Sequence, residues 1–278
     1  MLRQEMILLQ RPVSRHKSYR SKCNRLCWTK ELFNMPFTLA HPAAIVPLYK
    51  IFKGRLSLTG LIIGSIVPDT EYAVNTVTRS VISHTTKGIF YYDLPMGILI
   101  AVCYHAFIKQ VFTYQLPEFF RSRLTPFADL NWFQYLKKNS IVFLLSLMAG
   151  ILLHIGWDSF THDGGYLVRR NPVLTTEVIG SLKINRLFWH ISTITGLYVM
   201  YRFFVSYLSV PLPDNKRPNR NFWPLVFLVA CVIMFLHWLP FVRPQEARFI
   251  FISFFGSMAL GICVICFIFR MKILSRNE

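Results

Sequence analysis

Residues 139–165 read NSIVFLLSLMAGILLHIGWDSFTHDGG, and the fold turns on how this stretch is understood. Its first half, residues 141–153, is an uncharged apolar run. With its flanks it is long enough to cross a hydrocarbon core of roughly 30 Å as a helix rising about 1.5 Å per residue. Its second half places His154, Asp158 and His162 at intervals of four. Positions four apart share one face of a helix, so these side chains make a polar edge on an otherwise apolar rod. An apolar span has no structural need for that edge. An ionisable group in a membrane helix costs roughly 2.5–3.5 kcal/mol of insertion free energy, so Asp158 implies a partner or a role.

Working outward, the apolar half of the stretch recurs. Residues 91–112, 139–160, 187–208, 222–242 and 249–269 are apolar blocks, each about the 20 residues a spanning helix needs. The 278-residue chain is 53% hydrophobic and only 16% charged, too apolar for an ordinary soluble domain. The expected fold class is all-α: a polytopic membrane helix bundle with five or six spanning helices plus short re-entrant or interfacial helices. The sixth span depends on residues 58–67, which Pro68 stops. That segment is too short to span comfortably, so it is either re-entrant or interfacial, or a spanning helix completed by residues 69–77. Residues 116–138 read as an interfacial loop, and a second loop follows the turn at Asp163 and carries Arg169, Arg170 and Glu177.

Three parts are expected: a basic, disordered extension at 1–34, a helical membrane core with the candidate site at 35–208, and a linker with two further apolar helices at 209–278. The net charge of +18 would suggest nucleic acid for a soluble protein. Here the basic residues gather in the tail and in the loops beside the apolar blocks, where headgroups and topology already select them. The lipid bilayer is therefore the expected partner and nucleic acid is not. The tail has no apolar core of secretory-signal length. It reads as a cytoplasmic arm or as an extension upstream of a start at Met35. Cys103, Cys231, Cys263 and Cys266 lie in apolar blocks and read as small buried residues, while Cys23 and Cys27 sit in the tail. His105, His190 and His237, each alone on an apolar helix, read as hydrogen-bonded structural residues.

Composition leaves His41, Asp69, His84, His154 and Asp158 unexplained. Imidazole and carboxylate are ligands that Zn²⁺ and similar divalent ions accept, and a catalytic site keeps about three such ligands with an exchangeable, acidified water. Simpler readings stand beside this one. His41 precedes Pro42 at a helix start, and Asp69 after Pro68 is a natural helix cap.

Five separated motifs, MPFTLAHPAAIVPL, IGSIVPDTEY, SHTTKGIFYYDLPMG, LLHIGWDSFTHDG and FWHISTITGL, occur in that order between residues 35 and 208. Together they closely resemble an uncharacterised bacterial membrane family, a domain of unknown function that opens with MPFT and HPAA. The resemblance implies a multi-pass protein of the bacterial inner membrane. A more distant similarity is to the membrane-bound metal-dependent hydrolases of the zinc phospholipase C and P1 nuclease group. It implies that Asp69, His84, His154 and Asp158 hold one divalent metal such as zinc, with Asp158 bridging toward a second near His41. Asp69 or Glu71, where not itself a ligand, would act as general base, Thr85, His162 and Asp163 would support the site, and Arg169 and Arg170 would meet phosphate. The implied activity is hydrolysis of a phosphoester or lipid-linked substrate by a metal-bound hydroxide. The further His and Glu ligands of the soluble enzymes have no assigned counterparts. The alternative is a non-enzymatic membrane protein with a buried His/Asp polar network or an ion or proton path.

Overall fold

A computed structural model describes residues 38–71, 82–207, 217–238 and 247–275. The readings placed on residues 1–34, including Cys23 and Cys27, and on the side chain of His237 lie outside the described residues. The fold is all-α apart from one small hairpin. A 3₁₀ segment, Thr38–Ala44, leads into α1, Ile45–Ile51, and α2, Leu58–Gly64, runs into a second 3₁₀ turn, Val67–Asp69. The long helix α3, Thr86–Gln115, contains two π-helical turns, Ile89–Asp93 and Tyr104–Ile108. There follow α4, Glu118–Ala128; α5, Trp132–Thr161; and α6, Tyr166–Arg170. The antiparallel pair β1, Glu177–Ile179, and β2, Leu182–Lys183, precedes α7, Ile184–Tyr207; α8, Phe222–Trp238; and α9, Ala247–Leu274.

Among the described residues, three helices are long and apolar enough to cross a membrane: Thr86–Gln115, Trp132–Thr161 and Ser253–Leu274. Five or six spans are not confirmed among these residues, and the completion of a sixth span at 69–77 lies largely outside them. Helix α7 has the length, 24 residues, but Asn185, Arg186, His190, Ser192, Thr193, Thr195 and Arg202 thin its apolar content. The apolar helix Phe222–Leu236 and the segment Leu58–Asp69 are both shorter than a span. Two expected loops carry structure. Residues 118–128 form α4 between Pro117 at its start and Asp129 at its end. The loop after Asp163 holds α6, a 3₁₀ turn at Pro172–Thr175, and the hairpin, whose turn uses Gly180 at φ +59°.

Helix α5 organises the core as its pattern predicts. Ile141, Leu145 and Leu152 face outward, while Phe143, Leu147, Ile151, His154 and Asp158 are buried. Asn139, the start of the apolar run, has non-helical torsions (φ −130°, ψ 31°), and the helix bends there.

Helix α2 lies directly against the buried side of α5. Ser57 caps it by accepting from the Gly60 amide at 3.2 Å, and the Ser57 amide donates to Ser146 Oγ at 2.9 Å. The close approach is made by glycines. A Cβ on Gly64 would stand 2.2 Å from the Leu147 carbonyl oxygen, and one on Gly150 would stand 2.4 Å from that of Leu61. Small residues at such crossings let backbones meet without a side chain between them. Through this contact, the turn after α2 arrives beside the last turns of α5.

The end of the bundle away from that turn is separate. Val111 of α3 packs with Phe222 and Val226 of α8 and with Ile265 and Cys266 of α9. Cys266 is buried as expected, but Cys231 and Cys263 are exposed on their helices, a correction to the reading of all four as buried. Helices that face lipid need no inward side for a residue this apolar. His105 accords with its structural reading: its ring stacks on Trp132 at 4.2 Å and its Nε2 lies 3.1 Å from Thr59 Oγ1.

Candidate metal centre

Four chain segments bring their polar side chains to one point. His154, 1% exposed, has its ring fixed from behind. Its Nδ1 donates to the Ser65 carbonyl at 2.8 Å, which leaves Nε2 with a lone pair when the ring is neutral. That Nε2 lies 3.2 Å from His84 Nε2, 3.3 Å from Asp158 Oδ2 and 3.5 Å from Asp69 Oδ1.

His84 reaches the same point from the loop before α3. Its Nδ1 pairs with Ser83 Oγ at 3.0 Å, and its Nε2 stands 3.3 Å from Asp158 Oδ2 and 3.8 Å from Asp69 Oδ1. Its backbone is left-handed, φ +62°, a conformation uncommon outside glycine. Glu71 supports it. The buried Glu71 carboxylate accepts from the Ser83 amide at 2.8 Å and from the Ile82 amide at 3.1 Å.

Asp158 divides its two oxygens. While Oδ2 faces His84 and His154, Oδ1 accepts from His41 Nε2 at 3.0 Å and from His162 Nδ1 at 3.2 Å. The His41 ring also stacks on that of His154, with centroids 4.3 Å apart. Asp69, at the end of the 3₁₀ turn, is buried. Burial pushes its carboxyl up, but the charges of His154 and His41 and the His154 hydrogen bond outweigh this, so it lies below the usual carboxylate range.

Donor atoms of Asp69, His84, His154 and Asp158 all lie within 4.8 Å of one another. An ion held tetrahedrally by bonds of about 2.05 Å sets its ligand atoms roughly 3.3 Å apart. The five edges that involve an imidazole nitrogen, 3.2, 3.3, 3.3, 3.5 and 3.8 Å, bracket that value, and the carboxylate pair lies within 4.8 Å. Two imidazole nitrogens at 3.2 Å share at most one proton between them. Two neutral imidazoles and two carboxylates also balance the charge of a divalent cation. On chemistry and spacing, the buried His/Asp cluster is capable of coordinating a divalent metal.

The other expected residues fall around this cluster. His41 and His162 hold the outer oxygen of Asp158. Glu71 is engaged by backbone amides and positions the His84 loop. Thr85 caps α3: its hydroxyl accepts from the Gly88 amide at 2.9 Å and donates to the Ile82 carbonyl at 2.7 Å. Asp163 accepts from Asn185 Nδ2 at 2.9 Å and pairs with Arg186 at 2.5 Å, tying the end of α5 to the start of α7. Burial pushes the Asp163 carboxyl up, and Asn185 and Arg186 bring it below its usual value. Arg169 and Arg170 are exposed on α6, with the Arg170 guanidinium 4.5 Å from the Tyr166 ring centre.

Two contributors were not anticipated, the Ser65 carbonyl and Ser83, and neither was the burial of Asp93 in the second turn of α3. No pattern marks a backbone carbonyl in advance. Asp93, an ionisable residue inside an apolar block, did carry the signal that singled out Asp158.

Residues 35–270 match the family model described as Domain of unknown function (DUF4184). The match passes residue 197, where the last of the separated motifs ends, and reaches through α8 into most of α9. No curated protein and no solved structure matches the chain. Nothing in these comparisons supports a likeness to the zinc phospholipase C and P1 nuclease group.

Proposed function

The chain belongs to that domain-of-unknown-function family, and we propose that it is a membrane-embedded, metal-dependent hydrolase of a phosphoester or lipid-linked substrate, placed in a bacterial inner membrane. One observation carries this reading: four donor atoms from three chain segments converge at ion-sized spacing, with the far nitrogen of each imidazole already engaged. A bound divalent ion such as Zn²⁺ would polarise a phosphoryl oxygen and acidify a water.

The protein's own groups divide the remaining work. His84 and His154 present Nε2, and Asp69 and Asp158 each present an oxygen. His41 and His162 keep Asp158 oriented. Of the two candidate bases, Glu71 is already engaged by backbone amides, which leaves the role of proton acceptor to Asp69 where its carboxylate is not bound to the ion. Arg169 and Arg170 follow the turn at the end of α5 and offer the planar donor pairs that phosphate accepts.

Metal analysis of the purified protein beside His154→Ala and Asp158→Ala tests the reading. About one divalent ion per chain is expected in the parent and little in either variant. Equal metal content in all three would sink it. A non-enzymatic buried network is the second reading, favoured by the 3.0 Å His41–Asp158 bond, which needs no ion. It requires background metal content throughout and proton-dependent flux in reconstituted vesicles.

A further inference from the structure

Asp93 is 0% exposed, and neither of its carboxylate oxygens has a hydrogen-bond partner. Its neighbours on the same turn pack against segments that carry the His/Asp cluster. The π-helical turn Ile89–Asp93 sets Ile89 in one core cluster with Val67 and Ile151, and it puts the Tyr92 hydroxyl 3.3 Å from Thr70 Oγ1. Val67 and Thr70 flank Asp69, and Ile151 lies on the face of α5 that carries His154. Asp93 is within electrostatic reach of His84, His154, Glu71 and Asp69.

A carboxylate without water and without hydrogen bonds is among the costliest groups to bury. The other buried carboxylates here do not share this condition. Glu71 has backbone amides, and Asp69 and Asp158 have imidazoles. The remaining buried side-chain atoms without partners among the described residues belong to histidine, tryptophan, serine, asparagine and arginine, none of them an anion. π-helical turns are also frequent at functional sites, where the extra residue re-aims a side chain.

We propose that Asp93 is a further carboxylate of the metal centre, one that adds a buried negative charge beside a divalent cation held by the His/Asp cluster. This rests on the reading that the cluster binds a cation. It makes two opposed demands of one substitution. In Asp93→Asn the anion is lost, so cation affinity falls; yet the metal-free protein, relieved of an unpaired buried anion, is at least as heat-stable as the parent. A residue needed only for packing or hydrogen bonding would lower metal-free stability instead.

The experiment titrates Zn²⁺, and separately Mn²⁺, into the full chain in detergent, and follows thermal unfolding after chelation. Parent, Asp93→Asn, Asp93→Ser and, as a distant control, Asp129→Asn are compared. The expected result is a loss of affinity of at least about tenfold in both Asp93 variants, with an unchanged control and no fall in metal-free stability. Affinity equal to that of a cation-binding parent overturns the role of Asp93 and leaves the cluster standing. A fall in metal-free stability, or failure of both variants to fold, overturns it in favour of a structural role. A parent that takes up no cation removes both readings together.

Discussion

His84 carries the least comfortable backbone at the site. Its left-handed torsion, φ +62°, costs a non-glycine residue on the order of 1 kcal/mol or more, so its neighbours must hold it. Glu71 does so from beneath, accepting the amides of Ile82 and Ser83, while Ser83 Oγ fixes the outer nitrogen of the ring. The metal reading thus depends on a carboxylate that is not in the four-residue cluster. Replacing Glu71 by Gln keeps one acceptor oxygen but turns an NH₂ group toward backbone donors, and the loop slackens. Cation affinity in Glu71→Gln is expected to fall about 10- to 100-fold with all four ligands intact, as for other groups that orient ligands. Calorimetric titration reads this directly, and unchanged affinity would remove Glu71 from the positioning role.

At the scale of elements, the crossing of α2 on α5 decides whether Asp69 meets His154 at all. The glycines that permit it sit where a methyl group has nowhere to go: 2.2 Å from the Leu147 oxygen at Gly64, 2.4 Å from the Leu61 oxygen at Gly150. Backbone cannot give way as a side chain can. Gly64→Ala and Gly150→Ala are each expected to cost at least the roughly 1–3 kcal/mol of an overpacked core, and to lose bound metal as the helices part. Gly156→Ala, where nothing lies within 4 Å, is the control and should change neither property. Thermal unfolding and metal content, measured together, check all three. The same contact marks the limit of the sequence as a guide. The interval of four that puts His154 and Asp158 on one face is a property of any helix and was legible. That Ser65 would present its carbonyl to His154, or that His41 would bond Asp158, depends on two helices meeting at glycines. No spacing within one segment encodes that meeting.

Across the whole molecule, the all-α membrane character was legible because apolar blocks report their own length. The number of spans was not: among the described residues three helices have the length and apolarity to cross, while α7 spends its length on Asn185, Arg186 and small polar residues. The division of labour in the bundle was partly visible: the last two helices carry no Asp or Glu and a single histidine, His237, and they pack on the second half of α3. Phe222, fully buried, sits edge-on to Phe269 at 5.7 Å within that far cluster. None of this cluster's residues belongs to the His/Asp site. If the two regions are energetically separate, damage in one should leave the other intact. Phe222→Ala opens a cavity, but lipid tails are as apolar as the core, so only the packing part of the cost remains. The loss of stability should then be smaller than the roughly 3–5 kcal/mol typical of Phe→Ala in a soluble core. Cation affinity should be unchanged. Denaturant unfolding in detergent and metal titration of this variant test the separation, and a parallel loss of affinity would show that the far helices hold the site in shape through α3.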